Sequence, residues 1–270
     1  MEKPGNLFLK KTFVVITGAS RGLGRCMALQ FGAKFPATSV LVLMARNVEA
    51  LESVKSEVLS LAPNISVLVR QYDQGHSENK DYFKDIFNEI IAENNFSQAD
   101  FEQYMIVHNC ATIGDVSKRS LELSDSTSVR KYYDINLTGM ILLNTSFFQT
   151  FSDSTKSRVV VNMTSAGTST PVPPLQLYCA GKAARDMYMR VLAVEEPSLR
   201  ILTFAPGASD TDMMRGVENM CPLKSMVEML KQFRADGTMT LPDVPISKLV
   251  QILEENRFEN AVYVESDKLF

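Results

Sequence analysis

Residues Thr12–Gly24 read TFVVITGASRGLG, and this stretch decides the fold of the chain. Its first six residues, Thr12–Thr17, are apolar and β-branched, which is typical of a buried strand. Glycines follow in the spacing GxxxGxG, and an amphipathic segment, Leu23–Lys34, overlaps their end. A strand, a glycine-rich turn and a helix in this order predict a phosphate-binding turn, because glycines let the backbone approach a phosphate and a helix N-terminus presents amide donors. The alternative is an ordinary glycine-rich turn.

Strand-length apolar runs alternate with longer amphipathic segments along most of the chain. The predicted strands are Thr12–Thr17, Ser39–Ala45, Ile65–Gln71, Tyr104–His108, Arg158–Met163, Arg200–Ala205 and Ala261–Val264. The predicted helices are Leu23–Lys34, Val48–Leu61, Tyr82–Glu93, Ser126–Phe148 and Gln176–Glu195. Continuous Val, Ile and Leu runs between helices are typical of a parallel sheet that is buried on both faces. The pattern therefore predicts a doubly wound, Rossmann-type α/β fold, a parallel sheet of about seven strands flanked by helices, in one domain over residues 1–270.

Residues 206–245 break this alternation of strands and helices. They are Met-rich and polar, and we predict an excursion over the substrate site, since long insertions between regular elements are often lids. A variable surface region is the alternative.

Composition limits the function classes. The chain has 270 residues, a 45% hydrophobic content and a net charge of −3, so it can bury one core and offers no electrostatic attraction to nucleic acid or an anionic membrane. Apolar runs such as Val40–Ala45 are too short to cross a bilayer, and the N-terminus lacks the apolar core of a secretion signal. Four scattered cysteines without CxxC spacing predict a reduced, cytoplasmic protein. With only two histidines, we predict no metal site and no Ser-His-Asp triad.

Ligands of such folds bind beyond the carboxyl ends of the strands. After the second strand, where an NAD site would place an acidic residue, the chain has Arg46, and Arg21 lies in the glycine turn. Two cations suit the 2′-phosphate of NADP, although solvated surface arginines are the alternative. Asp73, after the third strand, could accept a hydrogen bond from the adenine amino group or simply form a turn.

Tyr178 and Lys182 lie one helical turn apart and are the candidate proton-transfer pair. A phenol has a pKa near 10, and we expect the ammonium four residues later to lower it. Ser165, thirteen positions before Tyr178, could orient a substrate carbonyl or act only as a loop or capping residue. Asn136 could hold water in a proton relay with Lys182 or be an exposed helix residue. His108 and Cys110 are interpreted as packed structural side chains, because no base is indicated beside the thiol.

These motifs together resemble the short-chain dehydrogenase/reductase family over nearly the whole chain. The residues that carry the resemblance are Thr17–Gly24, Asn109–Ala111, Asn136, Ser165, Tyr178 and Lys182. Asn109-Cys110-Ala111 departs from the family's Asn-Ala-Gly, and the bulkier Cys and the lost Gly would alter the loop beside the nicotinamide. Longer segments resemble the branch of the family that reduces side-chain ketones of pterins with NADPH in the last steps of tetrahydrobiopterin synthesis. These segments are Gly114–Lys118, Leu123–Thr127, Tyr178–Met187, Ala205–Gly207 and Asp210–Met213.

The resemblance implies roles for particular residues. Tyr178 would be the proton donor, Ser165 would hold the carbonyl oxygen, Lys182 would tune Tyr178 and bind the nicotinamide ribose, and Asn136 would complete the relay. The residues implied to bind NADP(H) are Gly18, Ala19, Ser20, Arg21, Gly22, Leu23, Gly24, Arg46, Asn47, Asp73, Gln74, Asn109, Tyr178, Lys182, Ser209, Asp210, Thr211, Asp212, Met213 and Met214. The residues implied to line the pterin site are Ser165, Ala166, Tyr178, Gly207 and Glu265.

A carboxylate near the C-terminus anchors the pterin in that branch of the family, because it accepts two N–H donors at once. An ungapped match puts Val264 there, a shift of one residue puts Glu265 there, and Asp267 is the reserve candidate. The family also forms homodimers through two long helices, here Ser126–Phe148 and Gln176–Glu195. Two other functions stay open: reduction of another ketone, such as a steroid, quinone or diketone, and binding of NADP without catalysis.

Overall fold

The computed structural model of the protein describes residues 5–79 and 81–266. Within these residues, seven parallel strands form one sheet in the order β3-β2-β1-β4-β5-β6-β7. The strands are β1 (Thr12–Thr17), β2 (Val40–Ala45), β3 (Ser66–Gln71), β4 (Gln103–His108), β5 (Ser157–Met163), β6 (Leu199–Ala205) and β7 (Val262–Glu265). The strand order reverses its direction between β1 and β4, so a crevice opens beyond the carboxyl ends of these two strands.

Helices cover both faces of the sheet. The α-helices of the described residues are α1 (Gly22–Gly32), α2 (Val48–Leu61), α3 (Tyr82–Asn94), α4 (Ser126–Tyr133), α5 (Gly139–Thr150), α6 (Gln176–Glu195), α7 (Asp212–Met220), α8 (Lys224–Ala235) and α9 (Asp243–Glu255). Among them, none combines the length and the apolarity that a membrane span requires.

Alternate residues of each central strand enter two different cores. Val14 and Ile16 of β1 pack in a core with side chains of α1, α2 and α9, whereas Phe13 and Val15 pack in a second core with side chains of α3, α5 and α6. This alternation follows from the two-residue period of a strand, and burial on both faces explains why the strands are continuously apolar. The polar groups that carry chemistry are consequently displaced to the strand ends.

The predicted fold class, the seven strands and the five helices are confirmed, with small differences at their ends. The helices predicted at Val48–Leu61 and Gln176–Glu195 have the predicted bounds. The predicted helix Ser126–Phe148 is a continuous run in which one π-helical turn, Asp134–Thr138, joins α4 to α5. π-helical turns are frequent at functional sites, and this one contains Asn136.

The segment 206–245 contains two helices that the sequence did not predict, α7 and α8, and the start of a third, α9. Helices α7 and α8 were missed because they do not pack on a main core: their Val217, Met226 and Leu230 lie in a small satellite cluster. Helix α9 packs on a main core and was also not predicted. Arg234 of α8 forms ion pairs with Glu218 of α7 at 2.7 Å and with Asp210, in the loop before α7, at 3.3 Å.

Candidate active site

The turn after β1 requires glycine at its three glycine positions. Gly18 and Gly22 have φ values of +66° and +53°, which L-residues with a side chain rarely adopt. At Gly24 the constraint is space, because an added Cβ would lie 2.1 Å from the carbonyl oxygen of Gly18. The backbone of α1 therefore packs directly against the turn.

Two side chains, Thr17 at the end of β1 and Asn109 directly after β4, hold this turn against the loop after β4. The Thr17 hydroxyl accepts the backbone N–H groups of Asn109 and Cys110 at 3.1 and 3.0 Å. The Asn109 amide donates to the carbonyl oxygens of Thr17 and Gly18 at 3.0 and 3.2 Å. Asn109 thus holds the glycine turn in place, and it would act on a cofactor through that turn.

The donors that can meet a phosphate lie at the start of α1. The amides of Gly18 and Ala19 already donate to the Met44 carbonyl oxygen at 2.7 and 3.2 Å. Amides in the first turn of a helix have no acceptor within the helix, and Arg21, the N-cap residue, makes no side-chain capping bond. The amides of residues 22–24 are therefore available to donate to a phosphate, while the side chains of Ala19 and Leu23 pack into the core.

A cleft of about 410 Å³ opens beside the start of α1, opposite the start of α7. Thr211 faces Gly22 across it, since a Cβ at Gly22 would lie 3.5 Å from the Thr211 methyl group. Ser209, in the loop after β6, is buried, and its hydroxyl has no partner among the described residues. A buried hydroxyl that lacks a protein partner can be satisfied by a water molecule or by a ligand. Together with the glycine turn, these groups fit a nicotinamide dinucleotide.

The two cations predicted to bind the 2′-phosphate are both exposed near the glycine turn and the end of β2. Arg46 is exposed directly after β2, and Arg21 is exposed in the turn, where it forms an ion pair with Asp212 at 2.9 Å. The side chain of Asn47 caps α2, accepting from the Ala50 amide at 2.9 Å. Asp73 accepts from the Gly75 amide at 3.0 Å, which is the geometry of a turn residue.

Gln74 lies beneath the crevice instead of facing it. Its side chain is only 2% exposed, and its amide donates to the Ile135 carbonyl oxygen at 2.5 Å and to the Cys110 carbonyl oxygen at 3.3 Å. Gln74 therefore ties the π-helical turn to the loop after β4, so the structure gives it a supporting position.

The candidate proton donor, Tyr178, lies in the first turn of α6, against the loop after β5. A Cβ added at Gly167 would meet Cys179 Sγ at 3.1 Å, Ser165 Oγ at 3.6 Å and the Tyr178 ring at 3.9 Å. Burial raises the pKa of Tyr178 above 10, and the hydrogen bond with Ser165 acts in the opposite direction. Ala166 and Gly207 are exposed in the loops that follow β5 and β6, respectively. The structure thus pairs Ser165 with Tyr178.

Lys182 lies one helical turn after Tyr178, on α6. Its ammonium lies 5.6 Å from the centre of the Tyr178 ring and donates to the Met163 carbonyl oxygen at 2.7 Å. Burial and the Arg185 guanidinium lower the pKa of Lys182 well below 10.5. The Arg185 guanidinium opposes the effect of burial on the pKa of Tyr178, and the role of Lys182 in lowering that pKa stays a prediction.

Asn136 is 2% exposed, so the alternative of an exposed helix residue is wrong. Its side chain accepts from the Thr112 amide at 2.9 Å and donates to the Tyr132 carbonyl oxygen at 3.0 Å. These bonds tie the π-helical turn to the loop after β4. The proton relay through Asn136 stays a prediction.

The most important side chain that the sequence analysis missed is Arg185. It is fully buried in α6, and it donates to the oxygens of His108, Cys110 and Asn162. The available signal was its spacing: a residue seven positions after Tyr178 and three after Lys182 lies on the same helix face. His108 and Cys110 are packed side chains, as predicted: burial lowers the pKa of His108 to about 3 and raises that of the Cys110 thiol.

The residues after β6 differ in their surroundings. Asp210, Thr211 and Asp212 line the cleft beside α1, and the two aspartates form ion pairs with arginines. Ser209 is buried and is not among the residues that line this cleft. Met213 is partly exposed in the first turn of α7. Met214 packs in the satellite cluster that also contains Tyr178, so the segment 206–245 places apolar side chains beside the candidate proton donor. That this segment covers a substrate site stays a prediction.

The C-terminal strand ends beside this region. Glu265 is the register partner of Ala205, two residues before Gly207, and its carboxylate accepts the Tyr263 hydroxyl at 2.8 Å. Val264 lies on the opposite face and packs on the main core. The reserve candidate, Asp267, lies outside the described residues. Among the residues described, no cluster of three or more His, Cys, Asp or Glu side chains could hold a metal ion.

Comparisons with known proteins agree with this geometry. A family model described as short chain dehydrogenase matches residues 12–222. The sepiapterin reductase of Bos taurus is 34% identical over 258 residues, which cover 95% of this chain and 95% of that protein. The benzil reductase ((S)-benzoin forming) of Bacillus subtilis (strain 168) is 26% identical over 261 residues, which cover 92% of this chain and 96% of that protein.

Solved structures share the fold. A short-chain dehydrogenase of Shigella flexneri 2a, crystallised with NADP, matches with a TM-score of 0.76 over 97% of this chain and 99% of that one. Its sequence identity is 19%, so this likeness concerns the fold alone.

The buried His108 generates a prediction about stability at acid pH. Its pKa falls from 6.5 to about 3 on folding, so the unfolded chain binds one more proton than the folded protein between these values. The contribution of neutral His108 to the free energy of unfolding is therefore complete above pH 6.5 and decreases as the pH falls from 6.5 to about 3. His108→Gln should flatten the dependence of the unfolding free energy by up to about 1.4 kcal/mol per pH unit, measured by urea denaturation at several pH values.

The control is His76→Gln, which changes the exposed histidine and should leave the slope unchanged. Identical slopes for His108→Gln and the unaltered protein would contradict a neutral, buried His108.

Proposed function

We propose that this chain, which belongs to the short-chain dehydrogenase family, uses NADPH to reduce a ketone on the side chain of a pterin, as in the final steps of tetrahydrobiopterin synthesis. It is an NAD(P)-dependent oxidoreductase by its family. The observation that carries the reaction type is the pairing of Tyr178 with Ser165 beside Lys182, at the end of β5.

The nicotinamide cofactor supplies a hydride for the carbonyl carbon. The chain's contribution is to position the ketone and to manage its oxygen. The Ser165 hydroxyl holds the carbonyl oxygen, and the Tyr178 hydroxyl gives its proton to that oxygen as the alcohol forms. Lys182 binds the nicotinamide ribose, and Asn136 stabilises the π-helical turn through which the relay to solvent runs. The glycine turn and residues 209–211 bind the phosphates and the nicotinamide.

Two observations support a pterin as the substrate. The relatives named sepiapterin reductase are up to 34% identical over nearly the whole chain. In addition, β7 brings Glu265 to the sheet end at which Gly207 lies, in a position where a carboxylate could accept the paired N–H donors of a pterin. Glu265 is therefore our candidate anchor for the heterocycle. We expect the protein to act in the cytoplasm.

A second ketone substrate is favoured by a different observation. The wall beside Tyr178 is apolar, formed by side chains that include Cys179, Met214 and Val217, and it suits an aromatic diketone. The similarity to benzil reductase agrees with this alternative. A role in sensing NADP without catalysis is disfavoured, because a binding protein has no use for a buried phenol paired with Ser165.

The proposed substrate can be tested by NADPH oxidation with a panel of ketones. We expect a higher kcat/KM for sepiapterin than for benzil or simple ketones, because only the pterin can use the Glu265 carboxylate. Glu265→Gln should lower kcat/KM for sepiapterin roughly 10-fold or more and leave benzil reduction nearly unchanged, since a charge-assisted hydrogen bond contributes about 1.5–3 kcal/mol.

Two matched variants make this assay decisive. Tyr178→Phe should lose about 10²- to 10⁴-fold in turnover and still bind NADPH, because it lacks only the proton that is transferred. Tyr133→Phe, at a half-buried tyrosine of α4, should behave as the unaltered protein. Faster reduction of benzil than of sepiapterin would favour the diketone alternative, and tight NADPH binding without turnover of any ketone would favour the sensor.

The preference for NADPH generates a separate prediction. Arg46→Glu removes a cation from the expected 2′-phosphate position and adds a repulsive charge. It should lower the ratio of kcat/KM for NADPH to that for NADH roughly 10- to 100-fold, measured at saturating ketone. Arg257→Glu, at another exposed arginine, should leave the ratio unchanged. An unchanged ratio in Arg46→Glu would remove Arg46 from the cofactor site.

We also propose that the protein is a homodimer that pairs through α6 and the α4–α5 run. The outer face of α6 carries Met187, Val191 and Val194, which are 54%, 47% and 82% exposed in the single chain. They are spaced four and three residues apart and so form one apolar stripe, which a second copy of the helix could bury.

Val191→Glu combined with Val194→Glu should convert the dimer to a monomer, because it places charges in the apolar stripe. Sedimentation equilibrium gives the mass directly. Leu61→Glu, which changes a residue 62% exposed on α2, is the control and should remain dimeric. A monomeric mass for the unaltered protein would exclude the pairing.

A further inference from the structure

Arg185 is an unusual residue for the interior of a domain. It has no exposed surface, it ranks among the largest fully buried side chains, and none of the described carboxylates lies within ion-pair distance of it. Its acceptors are neutral: Asn162 Oδ1 at 3.1 Å, the Cys110 carbonyl oxygen at 3.3 Å and the His108 carbonyl oxygen at 2.7 Å.

Burial of a guanidinium destabilises the folded state, whereas burial of an apolar side chain of similar size does not. An arginine is charged at all accessible pH values, and a buried charge without a counter-ion is destabilising unless other groups compensate. Two carbonyl dipoles and one amide oxygen provide partial compensation. Stability alone therefore does not explain why the fold contains a guanidinium at this point.

The three acceptors mark the ends of the two strands on which the reaction depends. His108 is the last residue of β4, Asn162 is the penultimate residue of β5, and Cys110 follows Asn109. Asn109 in turn donates to Gly18 in the phosphate-binding turn. A continuous set of hydrogen bonds thus joins the helix of the proton donor to the turn that binds the cofactor.

Arg185 also lies on the same face of α6 as Tyr178 and Lys182, at positions i, i+4 and i+7 of the helix. The titratable groups around Tyr178 are Cys179, Lys182 and Arg185 on α6 and Tyr132 on α4. Ser165, on the loop after β5, adds a hydroxyl. Of the two cations, Lys182 has a pKa that burial and Arg185 lower strongly, so Arg185 is the permanent charge.

We propose that Arg185 is a positioning residue for the reduction: it aligns the proton donor with the cofactor site through the ends of β4 and β5, and it keeps a fixed positive charge on the face of α6 that carries Tyr178. This inference rests on the proposed function, in which Tyr178 is the acid. It adds a residue that touches neither substrate nor cofactor and acts on the reaction through Tyr178.

The direct test is the titration of Tyr178 itself. In protein labelled with ¹³C at the tyrosine ζ carbon, the Tyr178 resonance is assigned by its absence in Tyr178→Phe and followed with pH. Arg185→Met removes the charge, and Asn162→Asp neutralises it with an isosteric carboxylate beside the guanidinium. Both should raise the midpoint by about one pH unit, because a nearby cation favours the phenolate.

The pH dependence of ketone reduction gives the second readout. The reaction needs a protonated Tyr178, so its rate falls as the pH rises through the Tyr178 pKa. In both variants this alkaline limb should move to higher pH by the same amount as the titration midpoint. Arg190→Met, at an exposed arginine of the same helix, is the matched control and should leave both measurements unchanged.

Each outcome decides a different question. Folded Arg185→Met or Asn162→Asp with an unchanged Tyr178 midpoint would overturn the role of Arg185 and leave the proposed function intact. If neither variant folded, Arg185 would be a structural residue and the proposal would fall. If the unaltered protein reduced no ketone, the proposed function would fall, and the ¹³C titration would still decide whether Arg185 sets the ionisation of Tyr178.

Discussion

The site depends on the hydrogen bonds that lock β1 to β4 at their carboxyl ends. The Thr17 hydroxyl and the Asn109 amide hold the glycine turn against the loop after β4, and Gly24 lets α1 pack on the turn without a clash. A shift of one strand end would move the glycine turn relative to the loop after β4. The proposed reaction requires that hydride and proton arrive at one C=O group, so this registration would be a condition for it.

Burial has opposite effects on the two candidate proton-transfer residues. It disfavours the charged form of each, so it raises the pKa of Tyr178 and lowers that of Lys182. A lysine that is easily neutralised is a weak source of positive potential, and the buried arginine behind it is a constant one. Arg185 therefore opposes the effect of burial on the Tyr178 pKa.

The excursion after β6 connects the cofactor side of the crevice to the substrate side. Thr211 faces Gly22 of the glycine turn, and helices α7 and α8 place an apolar cluster against Tyr178. In the proposed function, this one segment would therefore contact both the cofactor and the ketone.

The sequence by itself determined the sheet, its seven strands, the glycine turn and the residues Ser165, Tyr178 and Lys182, because strand periodicity, glycine spacing and helical spacing are local properties. It could not reveal α7 and α8, whose packing is confined to a satellite cluster, or the burial of Asn136 and Gln74. Only the tertiary structure revealed the buried Arg185 on the helix face of Tyr178 and Lys182. Charge interactions depend on distance and burial, and these are set when β4, β5 and α6 pack together, not by the four-residue spacing along one helix.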